Sequence, residues 1–191
     1  MNKTTIAPGI VSYDNVMDDP KGFIDYIEGS RLTWNPAQAV DGTTGKILEF
    51  ETRRCFEMGI PPNYTSNNPN DPLLQIKHKL DRFVMPLVND YKEEYQAKAW
   101  DTLEGWHILK YNEGHFFNNH YDDSKAYPRT VSLSFYMNDD YEGGEIEFPF
   151  FNLKIKPKAN QLILFPSNYA YKHSVHPVVS GTRYAIVAWW G

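Results

Sequence analysis

The chain has 191 residues, enough for one domain with a proper core and too few to demand two. Its formal net charge of −5 and sequence pI near 5.7, without any sustained run of Lys or Arg, exclude nucleic acid as the expected main partner. No apolar stretch is long enough for a signal peptide after Met1 or for a membrane span elsewhere, and one cysteine, Cys55, excludes an internal disulfide and a multi-cysteine zinc site. A soluble, cytoplasmic protein with no membrane partner is expected, with Cys55 filling a strand face rather than acting as a nucleophile.

Ile6 to Tyr13 is a short apolar segment bounded by Pro8, Gly9 and Asp14. Asp18-Asp19-Pro20 then reads as an N-cap with proline in the first helical turn, predicting a helix from about Pro20 to Gly29 with Phe23, Ile24 and Ile27 on its apolar stripe. The polar run from Arg31 to Leu48 contains a turn cluster, Asp41-Gly42-Thr43-Thr44-Gly45, and Glu49 to Met58 reads as extended. Pro61 to Asp71 is a long loop rich in Asn and Pro, either a binding loop or merely a mobile one. Asp71-Pro72 opens the clearest helix, running to about Gln96, with Ile76, Leu80, Phe83, Val84, Leu87 and Tyr91 recurring every three or four residues. One apolar stripe on a charged helix predicts that it lies against the outside of a sheet as a support.

After Asp101 the period changes to two. Trp106 to Tyr111 reads as a strand, Asn112-Glu113-Gly114 as a turn, and Arg129 to Met137 as a longer strand. Val131, Leu133, Phe135 and Met137 share one face of that strand and Thr130, Ser132, Ser134 and Tyr136 the other, so the polar face is either solvated or the lining of a barrel that holds a polar ligand. Gly143-Gly144 turns into Glu145 to Phe150, Gln161 to Phe165 is a further strand, and Arg183 to Trp190 is the last. Two helices followed by many short strands predict a mainly β fold of the α+β class: a double-stranded β-helix, or jelly roll, with helices packed on one sheet.

His120 and Asp122 stand two apart at the end of an extended segment, so their side chains share a face and can grip one ion. Such a pair recurs by chance in chains of this size and is only half of a site. A distant histidine must supply the third ligand of a 2-His-1-carboxylate centre, the arrangement typical of non-haem Fe(II) oxygenases. The candidates are His173 and His176.

The run Tyr111-x-x-Gly114-x-x-Phe117-x-x-His120-x-Asp122, followed by Arg129-Thr130, Tyr136-Met137-Asn138, Tyr141-Glu142-Gly143-Gly144-Glu145, Pro157, Leu164-Phe165-Pro166-Ser167 and His173-x-x-x-Pro177-Val178-x-x-Gly181-x-Arg183-Tyr184, resembles the prolyl 4-hydroxylase branch of the Fe(II)/2-oxoglutarate dioxygenases. The resemblance covers roughly residues 104 to 190 and is loose before that. It implies a single domain over 1–191, with a catalytic β core at about 104–190 and helical support at about 15–98.

The same resemblance assigns roles. His120, Asp122 and His173 become the ligands of Fe(2+), because the distal ligand stands four residues before the Pro-Val pair; His176 becomes a neighbour. Arg183, ten residues after His173, becomes the group that grips the distal carboxylate of 2-oxoglutarate, which suits a guanidinium fork. Tyr136 helps hold that carboxylate. Tyr111 and Trp189 either wall the pocket or are ordinary core aromatics. O2 and 2-oxoglutarate are the implied cosubstrates, and ascorbate binding is part of the family pattern. Two departures, Ile146 for the usual Thr and Ala159-Asn160 for an expected Gly, touch no ligand.

Prolyl 4-hydroxylation in a peptide or protein loop is the expected activity. Hydroxylation of a free amino acid or small metabolite by the same chemistry is the alternative, and a non-catalytic metal-binding or sensor module is the rival from another class. A nucleobase-repair oxygenase is disfavoured by the acidic balance. Trp34 to Gly45, Pro61 to Asp71 and Ser124 to Pro128 are the candidate lid segments.

Overall fold

Pro8 and Gly9, the latter at φ +72°, turn the first apolar run back on itself. The segment read as one stretch is therefore a hairpin of β1 (Asn2–Ala7) and β2 (Ile10–Asp14). The computed structural model describes residues 2–40, 47–48, 52–97 and 102–191; the predicted turn at 41–45 and the start of the extended segment at 49–51 lie outside them.

Helix α1 (Pro20–Gly29) begins where the Asp19 side chain accepts a hydrogen bond from the Gly22 amide at 2.8 Å, and it buries Phe23 and Ile27. β3 (Phe56–Ile60) follows. Helix α2 (Pro72–Glu94) is capped by Asp71, which accepts from the Leu74 amide, and it ends two residues before Gln96, which takes φ +53° and cannot continue the turn. The remaining long elements are β4 (Trp106–Tyr111), β5 (Phe116–His120), β6 (Val131–Tyr136), β7 (Ile146–Phe148), β8 (Leu153–Ile155), β9 (Gln161–Pro166), β10 (His173–Val175) and β11 (Arg183–Trp190).

A large antiparallel sheet runs β1-β2-β9-β6-β11-β4-β3, with Asn35–Pro36 on its far edge. A smaller one runs β8-β7-β10-β5 and ends on Arg53–Arg54. Alternation along the large sheet sorts its side chains. Val131, Leu133, Phe135, Ile186, Ala188 and Trp190 meet Ile76, Leu80, Val84 and Val88 of α2 and Phe23 and Ile27 of α1 in one cluster. Burying each such side chain contributes about 1.5–3 kcal/mol, so α2 is the support that its stripe predicts. The opposite face carries Tyr136, Ile163, Phe165 and Ala185 against Ile146 and Phe148 of the small sheet. This two-sheet sandwich with external helices is the jelly roll expected from the sequence. All six residues of β6 are buried, which settles the polar face as barrel lining rather than solvated surface.

The N-terminal part supplies more than helices, because β1, β2, β3 and Asn35–Pro36 are strands of the large sheet. Asn160 stands where a glycine was expected and adopts the left-handed φ of +63°. Its side chain accepts from the Met17 amide and donates to the Met17 carbonyl, which ties this turn to the N-terminal segment.

Candidate active site

The last residue of β5 and the first of β10 are register partners, so His120 and His173 face each other across the small sheet with ring centroids 4.3 Å apart. Asp122 lies just past the end of β5. Its Oδ1 is 3.5 Å from His120 Nε2 and its Oδ2 3.8 Å from His173 Nε2. One ligand atom from each of the three side chains lies within 4.8 Å of the others, and among the described residues no other such group forms.

Both imidazoles are aimed from behind. His120 Nδ1 contacts the Asn118 carbonyl at 2.7 Å and His173 Nδ1 the Tyr171 carbonyl at 3.1 Å. A carbonyl only accepts, so each Nδ1 carries the proton and each Nε2 is left with a free lone pair. Burial, then the neighbouring His120 ring, push the His173 imidazole down to about 4 against the pull of Asp122. Burial raises the Asp122 carboxyl, but the two imidazoles and the Ser132 hydroxyl outweigh it and hold the group well below the usual carboxylate range. At neutral pH His173 is thus a neutral imidazole facing an ionised Asp122 carboxylate, the protonation states a metal ion requires.

Asp122 is fixed in turn. Ser132 Oγ donates to its Oδ2 at 2.6 Å and lies 2.8 Å from Ser167 Oγ, while the Asp122 and Asp123 amides donate to the Ser167 carbonyl. His176, the competing histidine, sits 2.5 Å from Glu147 and belongs to no group with Asp122.

The trio opens into a recess of about 440 Å³ between the sheets. Arg183, 2% exposed, lines it, with its guanidinium 4.7 Å from the Tyr111 ring and 5.1 Å from the Tyr136 ring. Among the described residues, Arg183 Nε and Nη1 and the Tyr136 hydroxyl are buried with no hydrogen-bond partner. A buried guanidinium that lacks an acceptor is costly unless a ligand supplies one, and an acid with a free carboxylate fits that need. Tyr111 is both a pocket wall and a core aromatic, being 1% exposed and directly opposite Arg183 in the sheet. Trp189 also lines the recess, under the Arg129 guanidinium at 3.9 Å and against the His107 ring at 5.1 Å.

The sequence profile of the 2OG-Fe(II) oxygenase superfamily matches residues 106–191, the stretch that contains the trio and Arg183. This segment belongs to that superfamily. The chain is 23% identical over 164 residues to a putative prolyl 4-hydroxylase of Acanthamoeba polyphaga mimivirus, covering 75% of this chain and 67% of that one. It is 41% identical over 66 residues to human prolyl 3-hydroxylase 2, covering 32% of this chain but only 9% of that one. In fold it is similar to a Trichoplax adhaerens prolyl hydroxylase solved with a hypoxia inducible factor peptide fragment, with a TM-score of 0.75 at 18% identity and coverage of 95% and 83%.

One of the three candidate lids needs correction. Tyr64, within Pro61 to Asp71, packs into the helix-side cluster and donates to Asp71 at 3.0 Å, so this loop covers the far face of the large sheet. Trp34 packs there too, whereas Ala37 and Gln38 reach the recess side; residues 41–45 lie outside the described segments. Ser124 to Pro128 directly follows the metal-ligand candidate Asp122 and presents a half-exposed Tyr127.

Two recess residues went unread. Ile146, noted in the sequence only as a departure, lines the recess with a buried apolar group. Arg53 also lines it; its Nη1 donates to the Gln38 carbonyl at 3.0 Å and its guanidinium lies 4.9 Å from the Phe117 ring. The Arg53-Arg54 pair offered a weak signal, since alternation in a strand sends one of the two inward.

Proposed function

We propose that the oxygenase hydroxylates C4 of a prolyl residue in an accessible peptide or protein loop, with residues 1–191 working as one catalytic unit. The observation that carries this reading is the meeting, in one recess, of the His120–Asp122–His173 trio and the unpaired Arg183 guanidinium. His120 Nε2, His173 Nε2 and the Asp122 carboxylate hold Fe(II), which when bound supplies the redox chemistry that couples oxidation of 2-oxoglutarate by O2, to succinate and CO2, with insertion of one oxygen atom into a C–H bond.

The chain's own groups bind and orient. Arg183 and Tyr136 take the distal carboxylate of 2-oxoglutarate, which directs its oxoacid end toward the trio. Tyr111 seats the guanidinium, and Ile146 with Phe148 keeps that side of the barrel dry. Trp189 and Arg129 wall the substrate side. The prolyl substrate is supported by the names of the relatives and by the peptide in the Trichoplax complex. Cytoplasmic location and use of ascorbate belong to the same proposal. Similarity to prolyl 3-hydroxylase 2 over 66 residues favours C3 as the second reading.

The test is succinate formation by anaerobically purified, Fe(II)-loaded protein exposed to O2 with proline-containing peptides. Peptide-stimulated turnover with a one-oxygen mass gain on proline is expected, and NMR of the product assigns C4 or C3. Bound Fe(II) without succinate formation, with or without peptide, would replace the enzyme by a metal-binding sensor module.

A further inference from the structure

Gly144, at φ +66°, lets the Tyr141 ring and the Arg183 stem come together. A Cβ on Gly144 would stand 2.9 Å from Arg183 Cδ and 2.9 Å from Tyr141 Cε2, so ring and stem flank one point. Tyr141 is 4% exposed, its hydroxyl has no hydrogen-bond partner among the described residues, and the Lys156 ammonium covers its ring at 4.0 Å. A phenol hydroxyl buried without a partner, next to a guanidinium whose Nε and Nη1 are equally without one, marks a place where an acceptor belongs.

The unpaired donors gathered there number four: Arg183 Nε, Arg183 Nη1, Tyr136 OH and Tyr141 OH. An ionised carboxylate offers about four lone-pair sites. An amide offers one acceptor oxygen and brings N–H donors that would oppose these, and an ester replaces one charged oxygen by a weakly accepting ether oxygen with an alkyl group. We infer that Tyr141 is a third carboxylate-binding side chain of the cosubstrate pocket, and that Arg183, Tyr136 and Tyr141 together saturate one free carboxylate and so select a dicarboxylic oxoacid over a monocarboxylic one. Burial pushes the Tyr136 phenol up to about 12 and raises the Tyr141 phenol as well, against the pull of the Arg183 charge, so both hydroxyls keep their protons at neutral pH.

This inference rests on the cosubstrate reading above, and the experiment separates the two. Isothermal titration of anaerobic, Mn(II)-loaded protein measures the Kd of 2-oxoglutarate and of 2-oxobutyrate, which keeps the oxoacid end and lacks the distal carboxylate. Tyr141→Phe should raise the Kd of 2-oxoglutarate about tenfold, as expected for loss of one hydrogen bond to a charged group, and leave that of 2-oxobutyrate unchanged. Equal weakening of both acids, or of neither, overturns the role of Tyr141. Tyr136→Phe and Arg183→Gln are the controls: selectivity lost in these two but kept in Tyr141→Phe sinks this inference alone, whereas selectivity kept in all three sinks the cosubstrate reading with it.

Discussion

The histidine pair of the C-terminal half shows how much one position decides. His173 is 6% exposed and faces His120 across the small sheet, while His176, three residues on, turns outward to Glu147. His173→Ala should abolish Mn(II) binding and turnover. His176→Ala should keep both and change stability little, because its contact with Glu147 is at the surface; calorimetric titration of Mn(II) into each variant decides it, and tight binding by His173→Ala would move the third ligand elsewhere. Ser132 acts one step further back, through its 2.6 Å bond to Asp122. Ser132→Ala should weaken metal binding by about 10–100-fold, the usual loss when an orienting partner of a ligand is removed. An unchanged affinity would reduce Ser132 to a packing residue.

At the scale of elements, the long-period and period-two patterns were legible. Pro20–Gly29, Trp106–Tyr111 and Arg183–Trp190 appear where their spacing put them. The small sheet was largely not. β5 reads Phe-Phe-Asn-Asn-His, without alternation, because its role is to carry a ligand at its end rather than to bury one face. Arg53 escaped for a related reason: it becomes a recess group only through strands and turns distant in sequence, which no local pattern encodes.

The N-terminal hairpin is fastened to α2 by a second contact of this kind. Lys3 Nζ and the Tyr13 hydroxyl donate to Asp90 Oδ2, and Tyr91 donates to the Gly9 carbonyl at 2.8 Å. The Lys3 and Tyr13 bonds hold the Asp90 carboxyl below its ordinary value. A depressed native value means that this contact stabilises fully above the unfolded carboxylate range near pH 4 and is lost as the pH falls through the native value. Asp90→Asn should therefore flatten the acid limb of the melting temperature against pH and leave its slope above pH ~6 unchanged; an unaltered acid limb would show that the hairpin clamp does not limit stability.

For the molecule as a whole, the site and the helix-side core stand on opposite faces of one sheet. Ligands that bind only the folded state stabilise it by about 2.7 kcal/mol at a hundredfold excess over Kd. For a chain of this size each kcal/mol shifts the melting point by about 2–4 °C. Mn(II) with 2-oxoglutarate should raise the melting temperature by several degrees, more than either alone, and Arg183→Gln should remove the increment due to 2-oxoglutarate while keeping that due to Mn(II). Equal shifts from 2-oxoglutarate in both proteins would separate Arg183 from cosubstrate binding.

The two imidazoles are held by the same device, each ring donating to the carbonyl two residues earlier, that of Asn118 within β5 and that of Tyr171 in the turn just before β10. That makes ring orientation a property of the local backbone, set before any ion arrives. Stripping the metal should then leave a folded apoprotein whose vacant pair of nitrogens is still in place, so that reloading is a simple second-order capture and not a refolding event.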